Sequence, residues 1–158
     1  MTPAHAHPLR DLLRAQPVAS LGTLHEGRPY VSMVPFAMLP GHAHFVIHVS
    51  QLAAHTRDML ASPQVSLLVI APPAPGVIPQ ELARVTIQGE AAQLARGTPG
   101  HDAAKAAYLA RFPDSAQTFG FADFSLFAIA PTSIRFVGGF ARATTLTPET
   151  LARVLGEA

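Results

Sequence analysis

The chain has 158 residues, 49% of them apolar, with 11 basic and 10 acidic residues and a formal net charge of +1. That length suits one domain with a real core, and the lack of any basic run argues against a nucleic-acid footprint or a polybasic membrane patch. Zero cysteines exclude disulfides, thiolate metal sites, iron–sulfur clusters and a cysteine nucleophile.

Charged residues make up 13%, about half the ~25% usual for soluble domains. Either an Ala- and Pro-rich composition dilutes them or surface is buried in an oligomer, and a dimer is the favoured expectation. The first eight residues carry neither the basic nor the apolar region of a signal peptide. No apolar run approaches the ~18 residues that span a bilayer. The expectation is a cytoplasmic protein without membrane contact.

Leu9, Leu12 and Leu13 stand at i, i+3 and i+4, predicting a short amphipathic helix after Pro8. A strand follows over 18–24, closed by the His25-Glu26-Gly27-Arg28 turn, then a second over 30–39 ended by Pro40-Gly41, and a third over 43–49. A helix is expected over 52–61, with Leu52, Thr56, Met59 and Leu60 on one face and Ser62-Pro63 as its stop.

The run 65–70 is apolar on both faces, hence a central or interface strand. After the Pro-rich 71–76 loop, 84–94 reads as the longest strand, with Gly89 marking a bulge or barrel corner. A helix over 101–112 precedes a hairpin, 124–130 and 133–140, turning at Pro131-Thr132. The chain closes in a helix at about 147–156, with Thr147 as N-cap, Pro148 at N1 and a buried stripe of Leu151, Val154 and Leu155. There is no internal repeat. About seven short strands at hairpin spacing with small helices between them predict a mainly β barrel forming one domain over 1–158, its core at about 10–145.

The segment Phe45-Val46-Ile47-His48-Val49-Ser50-Gln51-Leu52-Ala53-Ala54-His55-Thr56-Arg57 carries the most chemistry. An apolar strand runs into a helix start where hydroxyls, an imidazole and a guanidinium gather, which is what a phosphate requires. The plain alternative is a helix capped by Ser50. Arg57, however, opposes the dipole at a helix N-terminus unless an anion sits there.

The eight histidines invite a metal, but only His42 and His44 lie close enough along one strand to share an ion and no third ligand is in view, so surface or satisfied histidines are the expectation. In Gly138-Gly139-Phe140-Ala141-Arg142, paired glycines fit a bulge or a close ligand approach equally well. No nucleophile elbow, phosphate-binding Walker loop, His-Glu-x-x-His or carboxylate pair is present. If the chain is an enzyme, a cofactor brings the chemistry.

Gly27-Arg28-Pro29-Tyr30-Val31-Ser32-Met33-Val34-Pro35-Phe36, the 45–57 segment, Ser62-Pro63-Gln64-Val65-Ser66-Leu67-Leu68 and Arg84-Val85-Thr86-Ile87-Gln88-Gly89-Glu90-Ala91 together resemble the pyridoxamine 5′-phosphate oxidase-like split-barrel flavoproteins. The Ser-x-Leu-Ala-x-His-Thr run and Phe136-Val137-Gly138-Gly139-Phe140 look most like the haem-utilisation branch of that superfamily. The resemblance implies a split β-barrel homodimer with FMN at the subunit interface. Ser32, Met33 and Val34 would present backbone groups to the isoalloxazine edge, and Ser50, His55, Thr56 and Arg57 would hold the phosphate. Arg84 takes the place of a flavin-contacting Gln, and Gly138, Phe140 and Arg142 would approach from the partner subunit.

The oxidases of this family carry Arg at the position of Ser32, Lys at that of Ala37 and an Arg-x-His near the C-terminus, none of which stands here. The first expectation is therefore an FMN-binding oxidoreductase acting on a small-molecule substrate or electron donor other than pyridoxamine phosphate. A haem-binding or haem-utilisation protein of the same fold is the alternative, and a cofactor-less barrel dimer the third.

Overall fold

The computed structural model describes residues 3–139 and 142–156. Four α-helices and eight strands alternate in the order α1 (Pro3–Ala15), β1 (Val18–His25), β2 (Arg28–Pro35), β3 (Ala37–Met38), β4 (Phe45–Ser50), α2 (Ala54–Ala61), β5 (Gln64–Ile70), β6 (Arg84–Gln93), α3 (Pro99–Arg111), β7 (Phe124–Val137), β8 (Ala143–Leu146) and α4 (Pro148–Gly156). The strands form one antiparallel sheet in the order β2-β1-β5-β6-β7-β4-β3, with β8 paired to β7. This is the split half-barrel with short helices that the strand pattern predicts.

Period-two alternation builds the interior. Ala19 and Leu21 of β1, Val65, Leu67 and Val69 of β5, Val85 and Ile87 of β6, and Phe45, Ile47 and Val49 of β4 all point inward and are buried. Phe36, Phe45, Phe127 and Phe136 are among the largest fully enclosed side chains. The other face of β4 and β7 is also covered, because Val46 and Leu126 pack against Ala104 and Tyr108 of α3. β4 is thus apolar on both faces except at His48 and Ser50.

Several boundaries differ from expectation, each for a local reason. Helix α1 starts at Pro3, so Pro8 lies inside it; the apolar stripe runs back to buried Ala6, and packing outweighs the hydrogen bond that Pro8 forfeits. The strand expected over 30–39 is two: β2 pairs with β1 up to Val18↔Pro35, whereas β3 pairs with β4. Pro35 offers no N–H to continue the first ladder, and the chain crosses at the fully buried Phe36, whose N–H donates to the Pro17 carbonyl at 3.1 Å.

The hairpin expected at Pro131-Thr132 does not form. β7 continues through both residues as a 14-residue strand. The register steps from Gln88↔Ser133 to Gly89↔Pro131, so Thr132 is the extra residue of a bulge at Gly89, as the glycine suggested. β8, an unforeseen strand, completes the edge.

Candidate functional site

The loop after β4 and the start of α2 sit beside β1 and β2, and four sequence-predicted residues meet or nearly meet there. Ser32 Oγ is hydrogen-bonded to His55 Nδ1 at 2.9 Å, tying β2 to α2 across 23 residues. Thr56, fully buried, donates its hydroxyl to the Ser50 carbonyl at 2.6 Å. Ser50 Oγ accepts the Leu52 N–H at 3.1 Å and donates to Asp123 Oδ2 at 3.1 Å.

Ser50 is therefore not the helix cap. The N-cap is Ala53, with no side-chain cap bond, and Leu52 lies outside the helix at 79% exposure rather than on a buried face with Met59. The alternative use of the serine, a turn closed on the next-but-one N–H, competes with capping. Arg57 is exposed, and no side-chain hydrogen bond or ion pair involves it among the described residues.

Beneath this corner lies a polar group that no motif announced. Asp58, 5% exposed, accepts hydrogen bonds from Thr23 Oγ1 at 2.8 Å and from His25 Nδ1–H at 2.7 Å. Burial alone would push its carboxyl up. The two donors, together with the charge of His25 and His55, instead hold it below the usual carboxylate range. His55, half-buried, is pushed down by that burial, against a smaller upward pull from Asp58. Its Nδ1 is engaged by Ser32, and its Nε2 has no hydrogen-bond partner among the described residues. The one sequence signal for the Asp58 cluster is Thr23, a polar residue at the inward parity of Ala19 and Leu21.

The remaining predicted residues lie elsewhere. Met33 is 61% exposed on the outer face of β2, and Val34 is buried in the core, leaving its backbone as the only group it could present. Arg84 folds back on its own loop, donating from Nη1 to the Gln80 and Leu82 carbonyls at 3.1 and 3.0 Å. It pairs with Val137, beside Gly138, while Gln64 at the exit of α2 pairs with Glu90. Ser32, which holds His55, is in register with Leu21, Leu67 and Ile87, three strands or roughly 14 Å across the sheet from β6. Arg84 and Gly138 thus lie three and four strands across the sheet from the Ser32–His55 contact within one protomer.

Gly138 and Arg142 close a turn through the Gly138 N–H on the Arg142 carbonyl at 3.1 Å, and the Arg142 side chain is exposed. Gly139, with φ +152°, needs its glycine. Phe140 lies outside the described residues. The His42 and His44 rings sit 5.5 Å apart, but no group of three metal-capable side chains occurs among the described residues.

A mainly antiparallel half-barrel with this strand order defines the class of pyridoxamine 5′-phosphate oxidase-like split barrels. The chain belongs to the pyridoxamine 5′-phosphate oxidase family, whose model matches residues 6–138. Over 138 residues it is 35% identical to the noncanonical, chloroplastic haem oxygenase HOZ of Arabidopsis thaliana, matching 85% of this chain and 40% of that protein. Among solved structures it resembles a haem-binding protein from Mycobacterium smegmatis, with 31% identity and a TM-score of 0.85 over 97% of this chain and 62% of that one. HutZ, the haem storage protein of Vibrio cholerae, has the same fold at 24% identity, with a TM-score of 0.70 over 78% of this chain and 87% of that one. The chain therefore spans about two fifths of the plant relative and under two thirds of the mycobacterial one. No helix among the described residues is long and apolar enough to cross a membrane.

Proposed function

We propose that the chain is a haem-binding split-barrel protein that works as a homodimer, with the Ser32–His55 corner forming part of the haem pocket. The observation that carries this is His55: a half-buried imidazole with one nitrogen held by Ser32 and the other unpartnered among the described residues, its pKa lowered by burial. That is the state in which a histidine can face a metal, since a ligating imidazole is neutral and anchored through its second nitrogen. Exposed Arg57, two residues on, suits a propionate. The plant relative is a haem oxygenase and the mycobacterial one a haem-binding protein, which supports the same reading.

Geometry supports the dimer. Arg84 and Gly138 stand on and just after strands three and four places across the sheet from Ser32, and a two-fold axis would bring them, with Arg142, beside the α2 corner of a partner. The outer face of β2, β1 and β5 carries exposed Val18, Val31, Met33 and Ile70, an apolar surface suited to that pairing. Haem would supply the redox chemistry; this chain would bind and orient it. Pyridoxamine phosphate oxidation is not part of the proposal, because Ser32 and buried Ala37 stand where the oxidases place cations.

FMN remains a second reading, favoured by the free Arg57 guanidinium beside the first turn of α2. Against it, the Ser50 and Thr56 hydroxyls are spent inside the protein, and the Asp123 carboxylate occupies the corner beside Ser50. Parallel titration of the purified protein with haemin and with FMN separates the two. A saturable Soret band at one haem per protomer is expected, weakened at least tenfold, about 1.4 kcal/mol, by His55→Ala. Saturable FMN binding without a haem complex would reverse the order of the two readings.

A further inference from the structure

On the face of β4 away from the barrel interior, a second cavity of about 190 Å³ lies beside α3, lined by the aromatic rings of His48, Phe119 and Phe124, by the cations Arg96 and Lys105 and by His101. It is distinct from the His55 corner and does not depend on the haem reading. The His48 ring is stacked on Phe119 with centroids 3.8 Å apart and planes 6° apart, and Phe124 flanks it at 5.2 Å. Tyr108 of α3 meets it edge-on at 5.8 Å.

The charges around these rings are unmatched. Arg96 is pinned through Nη2, which donates to the Phe121 and Phe124 carbonyls at 3.3 and 2.9 Å; those bonds fix the guanidinium without neutralising it. Lys105, the chain's one lysine, holds its ammonium 5.3 Å from the Phe119 ring centre. The single carboxylate present, Asp102, is 77% exposed and only 4.0 Å from His101 Nδ1. Neither Arg96 nor Lys105 forms an ion pair with a carboxylate among the described residues. Cations gathered over a half-buried aromatic surface repel one another and attract an anion. Burial first, then His101, Arg96 and Lys105, push the His48 imidazole down to about 4, so it is neutral at pH 7.

We infer that this cavity binds a small planar organic carboxylate, its ring against Phe119, Phe124 and His48 and its carboxylate between Arg96 and Lys105. A volume of about 190 Å³ falls below the ~300 Å³ at which drug-sized pockets begin, which suits a single ring rather than a nucleotide or a tetrapyrrole.

Benzoate and inorganic phosphate, titrated separately at pH 7 and followed by the histidine and aromatic NMR signals, test it. Benzoate should give saturable shifts confined to the His48, His101 and Phe119 signals, and should raise the His48 titration midpoint as a carboxylate joins its neighbours Arg96, His101, Asp102, Lys105 and Tyr108. The double variant Arg96→Ala/Lys105→Ala should weaken benzoate at least tenfold, and the solvent-facing single variant Lys105→Ala, with an unchanged melting temperature, should weaken it several-fold. Non-saturating shifts, phosphate binding as tightly as benzoate, or affinity indifferent to both variants would reduce the cavity to a generic basic patch.

Discussion

One buried carboxylate ties the functional corner to the sheet. Asp58 receives Thr23 and His25 from β1, and the helix turn that holds it also holds His55 against Ser32. Losing a hydrogen-bonded buried charge leaves Thr23 without its acceptor, so Asp58→Ala is expected to cost about 2–3 kcal/mol, the range for hydrogen bonds to a charged group. Urea denaturation reads that cost directly. Because the folded carboxyl titrates below its unfolded value, its contribution is complete above the ordinary carboxylate range and fades as acid carries the pH down through the folded value.

His48 acts in the same direction at higher pH. Its folded value of about 4 lies below the unfolded 6.5, so the unfolded chain gains a proton first, and stability present above pH 6.5 falls away between 6.5 and 4. His48→Phe keeps the ring on Phe119 and should flatten that part of the pH–stability curve; an unchanged slope would show that another group titrates there. Of these residues the sequence displayed only the inward parity of Thr23. Asp58 is separated from its partners by 33 and 35 residues, and nothing local marks such a contact.

Elements with a strong period were readable, and those decided by a distant partner were not. Strand β5, read as apolar on both faces, buries only alternate residues, whereas the strands β1 and β6 and the capped C-terminal helix, where Thr147 Oγ1 accepts the Thr150 N–H at 3.2 Å, follow from local chemistry. The start of α2 did not, because Ser50 was drawn off to Asp123, 73 residues away. Pro131 read as a turn in isolation, yet the bulge opposite Gly89 absorbs its missing N–H and lets β7 curve onward.

Gly89 itself is fixed by space: a Cβ there would stand 2.5 Å from the Ala130 carbonyl oxygen, and backbone cannot step aside. Gly89→Ala should therefore destabilise the fold by about 1–3 kcal/mol, the usual cost of overpacking. Gly22→Ala, whose nearest obstacle is the rotatable Ser66 hydroxyl at 2.6 Å, should be milder. Equal urea midpoints for the two variants would contradict this ranking.

At the scale of the whole molecule, the proposed homodimer would cover the exposed apolar face on β2, β1 and β5. Light scattering should return twice the 16.7 kDa chain mass, and Val31→Asp/Met33→Asp should return the single mass and abolish haem binding. The low charge content motivated the expectation of a dimer, and the exposed apolar face proposed for it is visible only in the fold. Most directly, a crystal structure of the haemin complex tests the central claim. The account predicts a tetrapyrrole between two protomers, with His55 and Ser32 of one and the Arg84–Gly138 end of the other against it. A haem bound anywhere that leaves His55 in solvent would contradict it.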